Sequence, residues 1–196
     1  IIKQQKNRIL DKNFELLGVG FAFPGPFDYE NGICYIQDVN KFDSLYGVNI
    51  KEELLMRIIE DSSINSVISS NFQIVFENDA SLFALGEYIH GKAKQSNKSL
   101  FITIGTGCGS AFMEDGVLLK NRTDIPPNGW IYNQPFKESI IDDYISKRGI
   151  LRIAKKLGIK TKNDEVKYLA ELARKNDEKA LRIFHLFGQN LGSALN

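Results

Sequence analysis

The chain has 196 residues and a formal net charge of +1 at pH 7, with 43% hydrophobic and 25% charged side chains. These proportions argue against a disordered chain, and the interspersed charges leave no basic stripe for nucleic acid or an anionic membrane surface. No apolar run approaches the roughly 18 residues of a bilayer-spanning helix, and two distant cysteines, Cys34 and Cys108, favour a reducing cytoplasm over a disulfide framework.

In chain order, residues 1 to about 17 suit a helix, and Lys3-Gln4-Gln5-Lys6-Asn7-Arg8 interrupts any signal-peptide pattern. A strand follows, Leu17–Phe23, which Pro24-Gly25-Pro26 must stop because proline cannot extend a sheet ladder. Residues 28–49 read as a loop or short hairpin, and 50–60 as an amphipathic helix with Ile50, Leu54, Leu55, Ile58 and Ile59 on one side. Phe72–Phe76 is β-branched and aromatic and reads as a buried strand. A helix from Ala80 to Tyr88 follows, its apolar face predicted at Leu82, Leu85 and Ile89. The polar run 91–97 suits a link between lobes. Strands are predicted at 99–104, 109–114 and 117–120, a loop at 121–135, and helices at 136–157, 164–175 and 177–195. The chain begins without Met and ends within a helical pattern, so further sequence is expected at both ends.

Two segments carry chemistry. Glu77-Asn78-Asp79 sits between a predicted strand and helix, where Asn78 or Asp79 serves either as a helix cap or as a polar group exposed for catalysis. Gly105-Thr106-Gly107-Cys108-Gly109 joins two strands, and glycines so spaced let backbone N–H groups approach an anion, with the Thr106 hydroxyl as a further donor. A tight hairpin is the competing reading, and Asp115-Gly116 supplies a second hairpin signal. Cys108 reads as a small filler, with no histidine nearby to activate it.

Gly18-Val19-Gly20 leading to Pro24-Gly25-Pro26-x-Asp28, then Glu77-Asn78-Asp79-Ala80 with Leu85-Gly86-Glu87, then Ile104-Gly105-Thr106-Gly107-x-Gly109, resemble the ROK family of bacterial sugar kinases and sugar-responsive repressors. The resemblance covers nearly the whole chain. It implies an α/β, actin-like (hexokinase-like) ATPase fold with two lobes around a cleft: residues 1–94 from a sugar-binding lobe and 95–196 from a nucleotide-binding lobe. The implied activity is phosphorylation of a hexose or hexose derivative with ATP and Mg2+, and the implied assembly is a homodimer. By position, Asp79 matches the general base, Asn78 and Gly25 match sugar contacts, and Gly105, Thr106, Gly107 and Gly109 match a phosphate loop. Asn40 is a further candidate sugar contact.

The chain also departs from the family. Where the resemblance calls for Gly-Glu-Ile-Gly-His, the sequence reads Gly129-Trp130-Ile131-Tyr132-Asn133, so Trp130 replaces the Glu and Asn133 the His. The cysteine-rich loop that holds zinc in many members is shortened and lacks cysteine, so no zinc is expected. Asp142-Asp143-Tyr144-Ile145-Ser146 fits a Glu-x-Tyr-x-Ser stretch, which makes Asp142 either an acidic sugar contact or a solvated helix charge. The first phosphate loop and the adenosine-binding Gly-Gly pair are expected before residue 1 and after residue 196. The alternative within the family is a non-catalytic sugar sensor of the repressor branch, and a purely structural domain would leave the Asn-Asp and Gly-Thr-Gly pairing as coincidence.

Overall fold

The computed structural model describes residues 14–37, 42–159, 161 and 165–196. The helix predicted for the first residues and the candidate Asn40 lie outside the described residues. The chain divides into two compact units, Ile1–Leu82 and Phe83–Asn196.

In the first unit, strand β1 (Leu16–Phe23) ends at the proline turn, and a small hairpin follows, β2 (Phe27–Asp28) with β3 (Ile33–Cys34). Helix α1 (Ile50–Glu60) starts where the side chain of Asn49 accepts from the Glu52 N–H, and a single turn, α2 (Ser62–Asn65), leads into strand β4 (Ile68–Asn78). β1 and β4 pair in parallel. β4 extends well beyond the predicted 72–76 and alternates: Ile74 and Phe76 are buried while Gln73 and Val75 are exposed, as the two-residue period of a strand requires. Phe27, Cys34, Ile36, Ile58, Ile74 and Phe76 form the core of this unit. The predicted apolar side of α1 is narrower than its sequence suggests. Ile50, Leu54 and Ile58 face the core at four-residue spacing, whereas Leu55 and Ile59, one residue on and so about 100° round, are exposed.

Helix α3 (Asp79–His90) follows β4 directly. Its buried side is Ala80, Ser81 and Ala84, with Leu85 half-buried, while the predicted Leu82 and Ile89 are exposed. Small residues explain the shift. Ala84, Leu85 and Tyr88 pack with Phe101, Ala111, Met113 and Leu118 of the following sheet, where fully buried alanine permits close approach and hydropathy alone favours the larger side chains.

That sheet is the antiparallel meander β5 (Lys98–Ile104), β6 (Cys108–Glu114) and β7 (Val117–Leu119). The β6–β7 turn is Asp115-Gly116, both at positive φ (48° and 82°), the conformation of a two-residue hairpin that matches strand twist. The helix predicted at 136–157 does not form as one piece. Lys137 sits at φ 54° in the turn of a small hairpin, β8 (Pro135–Phe136) with β9 (Ser139–Ile140), followed by the short turn α4 (Ile141–Tyr144). Ser146, extended at φ −156° and ψ 178°, then separates α4 from α5 (Lys147–Lys156). α6 (Val166–Arg174) and α7 (Glu178–Ala194) complete the unit. They pack with α5 around Ile150, Ala154, Leu169 and Ile183. Among the described residues no helix is long and apolar enough to cross a membrane.

Candidate functional site

Parallel pairing of β1 with β4 places two of the sequence motifs side by side. Phe21 is opposite Phe76, Ala22 opposite Glu77 and Phe23 opposite Asn78. The chain therefore leaves β1 into Pro24-Gly25-Pro26 and leaves β4 into α3 at the same, carboxyl end of the pair, where open α/β sheets carry their ligands. Rings of Phe23, Phe27 and Phe76 pack beneath this end, with centroids 4.6 to 6.1 Å apart.

Asn78 is buried and caps α3. Its Oδ1 accepts from the N–H groups of Ala80 (3.0 Å) and Ser81 (3.2 Å), which satisfies amides that the helix itself cannot. Its Nδ2 donates to the Tyr29 hydroxyl at 3.1 Å, and that hydroxyl donates to the Phe23 carbonyl at 3.0 Å. Tyr29 thus ties the end of β4 to the end of β1. Sequence reasoning missed it, because nothing local links Tyr29 to a residue 49 positions away. Asp28, beside it in the Pro-Gly-Pro-x-Asp motif, accepts from the backbone of Glu30 and Asn31 and from the Asn31 side chain. Those bonds, led by the Asn31 amide, hold its carboxyl below the ordinary 3.8.

Asp79 is the first residue of α3 and is exposed. Its Oδ1 accepts from the Ala80 N–H at 2.9 Å, and among the described residues no cation pairs with it. The positive end of the helix dipole favours a carboxylate at this position. Gly25 is exposed in the adjoining turn.

In the second unit, Gly105-Thr106-Gly107 forms the loop of a hairpin closed by Ile104 opposite Cys108. Both sequence readings of this segment therefore describe one object: a hairpin whose tip is a glycine loop. Gly105 N–H donates to the Gly107 carbonyl at 2.9 Å, and Gly109 pairs with Thr103 within the ladder. The Cys108 N–H donates to Asp142 Oδ1 at 2.6 Å. Thr106 and Gly107 keep N–H groups with no hydrogen bond among the described residues. Gly107 is also a point of close approach, since a Cβ there would lie 3.0 Å from Asp142 Oδ1. Cys108 is buried, and its thiol is pushed up to about 11, chiefly by burial and then by the Asp142 charge, which suits a packing role.

Asp142 is buried, not the solvated charge that one sequence reading allowed. Its second oxygen pairs with Arg148, and its backbone N–H donates to the Tyr132 carbonyl at 2.9 Å. The same Asp142 charge, after burial, raises the Tyr132 hydroxyl above its ordinary 10.0. The segment that departs from the sugar-kinase pattern is held from below by Ser110, whose hydroxyl donates to the Gly129 carbonyl (2.7 Å) and accepts from the Ile131 N–H (2.9 Å). Trp130 is half-buried, its ring 6.1 Å from that of Tyr132. Asn133 is exposed and accepts from the Gln134 side chain at 3.2 Å. A depression of about 250 Å³ elsewhere in the unit is lined by Lys137, Tyr144, Arg152, Lys156 and Asn190, and by none of the nominated residues. Among the described residues no group of three or more His, Cys, Asp or Glu side chains is placed to hold a metal ion.

Comparison with known proteins places these features in a family. The profile of the ROK family matches residues 1–196. A glucokinase of Thermotoga maritima is 27% identical over 84% of this chain and 54% of its own length. A xylose repressor of Bacillus spizizenii is 25% identical over 96% of this chain and 46% of its own length. A solved glucokinase structure from Parabacteroides distasonis superimposes with a TM-score of 0.67 at 28% identity, covering 91% of this chain and 52% of that one. The chain thus spans about half the length of the curated relatives it matches. The shared fold is the actin-like ATPase fold of the ROK sugar kinases. With the family profile matching residues 1–196 and its fold shared with solved members, the chain belongs to the ROK family.

Proposed function

We propose that this chain carries the sugar-binding and phosphate-loop elements of an ATP-dependent kinase acting on a hexose or hexose derivative, with Asp79 as general base. The observation that carries the reading is the end of the β1–β4 pair, where Asn78 is fixed by the helix amides and Tyr29 while the neighbouring Asp79 carboxylate stays exposed and unpaired with any described cation. A carboxylate so placed accepts the proton of a sugar hydroxyl as that oxygen attacks phosphorus. Asn78 has a second Nδ2 hydrogen for a ring hydroxyl, and the Gly25 turn offers backbone to the same sugar. Phosphoryl transfer depends mainly on positioning and on neutralising charge. The free N–H groups of Thr106 and Gly107, with the Thr106 hydroxyl, suit a nucleotide phosphate, and Mg2+ enters with those phosphates, as is usual for that ion. Asn133 adds a candidate polar contact to the sugar.

The departure at Trp130 and Asn133 favours one second reading, a sugar sensor of the repressor branch that binds without catalysis. One experiment separates the two: ADP release from MgATP with a panel of hexoses, for the intact parent protein and its Asp79→Asn variant. The kinase reading expects the variant to lose about 10²- to 10⁴-fold in kcat with an unchanged melting temperature, the range typical of a removed general base. Substantial turnover in the variant would refute the role of Asp79. No turnover in either protein, with sugar still raising the melting temperature, would establish the sensor.

A further inference from the structure

The glycine loop is gripped at both ends by the corner between α4 and α5. Its first residue, Gly105, accepts at its carbonyl from the Lys147 N–H (2.9 Å), and its last amide, Cys108 N–H, donates to Asp142 Oδ1 (2.6 Å). The corner is itself fixed: the Ser146 hydroxyl donates to the Asp142 carbonyl at 2.6 Å. Gly149 packs so closely on Tyr144 that a Cβ would come within 2.1 Å of its carbonyl oxygen. Arg148 stands between these contacts in the first turn of α5, and its guanidinium pairs with Asp142 Oδ2.

This geometry opposes two demands. A carboxylate is the strongest acceptor for the Cys108 amide, yet a buried negative charge against a phosphate-binding loop repels the phosphate. The Arg148 guanidinium removes the conflict by cancelling the charge while leaving the hydrogen bond in place. With the Gly105 and Cys108 amides committed, the Thr106 and Gly107 amides are the loop N–H groups that, among the described residues, remain to meet an anion.

We propose that Asp142 and Arg148 form a charge-neutral latch that positions the Gly105–Cys108 loop for phosphate, so that Asp142 acts as a positioning residue of the loop in place of a sugar contact. The nucleotide part of this inference rests on the kinase reading above; the loop-holding part does not.

The test uses the intact parent protein as wild type, Asp142→Ala, Asp142→Asn, Arg148→Ala and the Asp142→Asn/Arg148→Ala double variant. Amide exchange is read at Cys108, and affinities for MgATP and for a hexose panel are read by titration. Asp142→Ala speeds Cys108 exchange by about tenfold or more, because a local opening then costs one hydrogen bond less, while Asp142→Asn keeps an oxygen for that amide and stays slow. Arg148→Ala leaves the carboxylate uncompensated and weakens MgATP binding by about tenfold, and the charge-neutral double variant regains most of that loss. Hexose affinity stays within about twofold throughout, as expected for a residue with no part in sugar binding. Unchanged Cys108 exchange in Asp142→Ala would overturn the latch, and so would a hexose affinity that collapses in Asp142→Asn while MgATP binding holds. A double variant no better than Arg148→Ala would remove the charge-cancelling part of the proposal. If the wild type binds no MgATP, the kinase reading fails, and the exchange measurement still decides the latch.

Discussion

Asn78 presents two functions on one side chain, and substitution separates them. Its Oδ1 serves the Ala80 and Ser81 amides and its Nδ2 serves the Tyr29 hydroxyl. Asn78→Ala removes both. Loss of an N-cap costs about 1 kcal/mol, and loss of a part-buried hydrogen bond costs about 1 kcal/mol more. The expected total is about 2 kcal/mol, or roughly 4–8 °C in melting temperature for a chain of this size. Asn78→Asp keeps an acceptor for the helix amides at the favourable end of the dipole and loses only the donation to Tyr29. Its expected cost is therefore about half as large. Urea denaturation of the full chain without sugar, with melting followed in parallel, reads both variants. The reasoning is refuted if Asn78→Ala lies within about 0.5 kcal/mol of wild type, the range of an ordinary surface change, or if Asn78→Asp costs as much as Asn78→Ala.

Two further outcomes follow from groups outside that cluster. Ser110→Ala strands the Gly129 carbonyl and the Ile131 amide in a buried setting, with an expected cost of about 1–3 kcal/mol in the urea midpoint; a loss below about 0.5 kcal/mol would show that Ser110 does not hold the 129–131 segment. The Cys108 thiol is raised from 9.0 to about 11, so across that window the unfolded chain releases a proton that the folded chain keeps, and stability falls as pH rises. Midpoints measured at pH 8 and pH 10 should therefore drop further in wild type than in Cys108→Ala, and an equal drop in both would refute the assignment.

How far the sequence revealed the molecule depended on how far apart the interacting residues lie. β1, α1 and the three meander strands were legible because each is a continuous apolar pattern ended by a local signal such as Pro24-Gly25-Pro26 or Asp115-Gly116. The buried side of α3 was not, since hydropathy favours Leu82 and Ile89 whereas close packing selects Ala84. The helix predicted at 136–157 failed for a similar reason. Its apolar residues are spaced for a helix, but the positive φ of Lys137 and the extended Ser146 answer to contacts made elsewhere in the unit. Among the candidate residues, Asn78 and Asp79 in the first unit and the glycine loop in the second were legible as contiguous motifs. Their partners were not, because Tyr29 reaches Asn78 across 49 positions and Asp142 reaches Cys108 across 34, and one sequence carries no record of such pairs.

The polar groups left over after the fold has satisfied itself are what point to a ligand. At the end of the β1–β4 pair, most donors and acceptors are already spent on backbone and on Tyr29. Among the described residues, an exposed carboxylate oxygen on Asp79 and one amide hydrogen on Asn78 stay uncommitted beside the Gly25 turn, an acceptor next to a donor. That pairing suits a neutral group able to give and take a hydrogen bond, which is the description of a sugar hydroxyl. At the glycine loop the remainder has a different character. Gly105 and Cys108 have their amides committed, whereas the N–H groups of Thr106 and Gly107 have no hydrogen-bond partner among the described residues. Adjacent amide donors with a hydroxyl beside them suit an anion, provided that the Asp142 charge behind them is cancelled. Arg148 is the residue placed to cancel it. On the kinase reading proposed above, the donor–acceptor pair of the first unit serves the polyol and the loop donors of the second serve the phosphate.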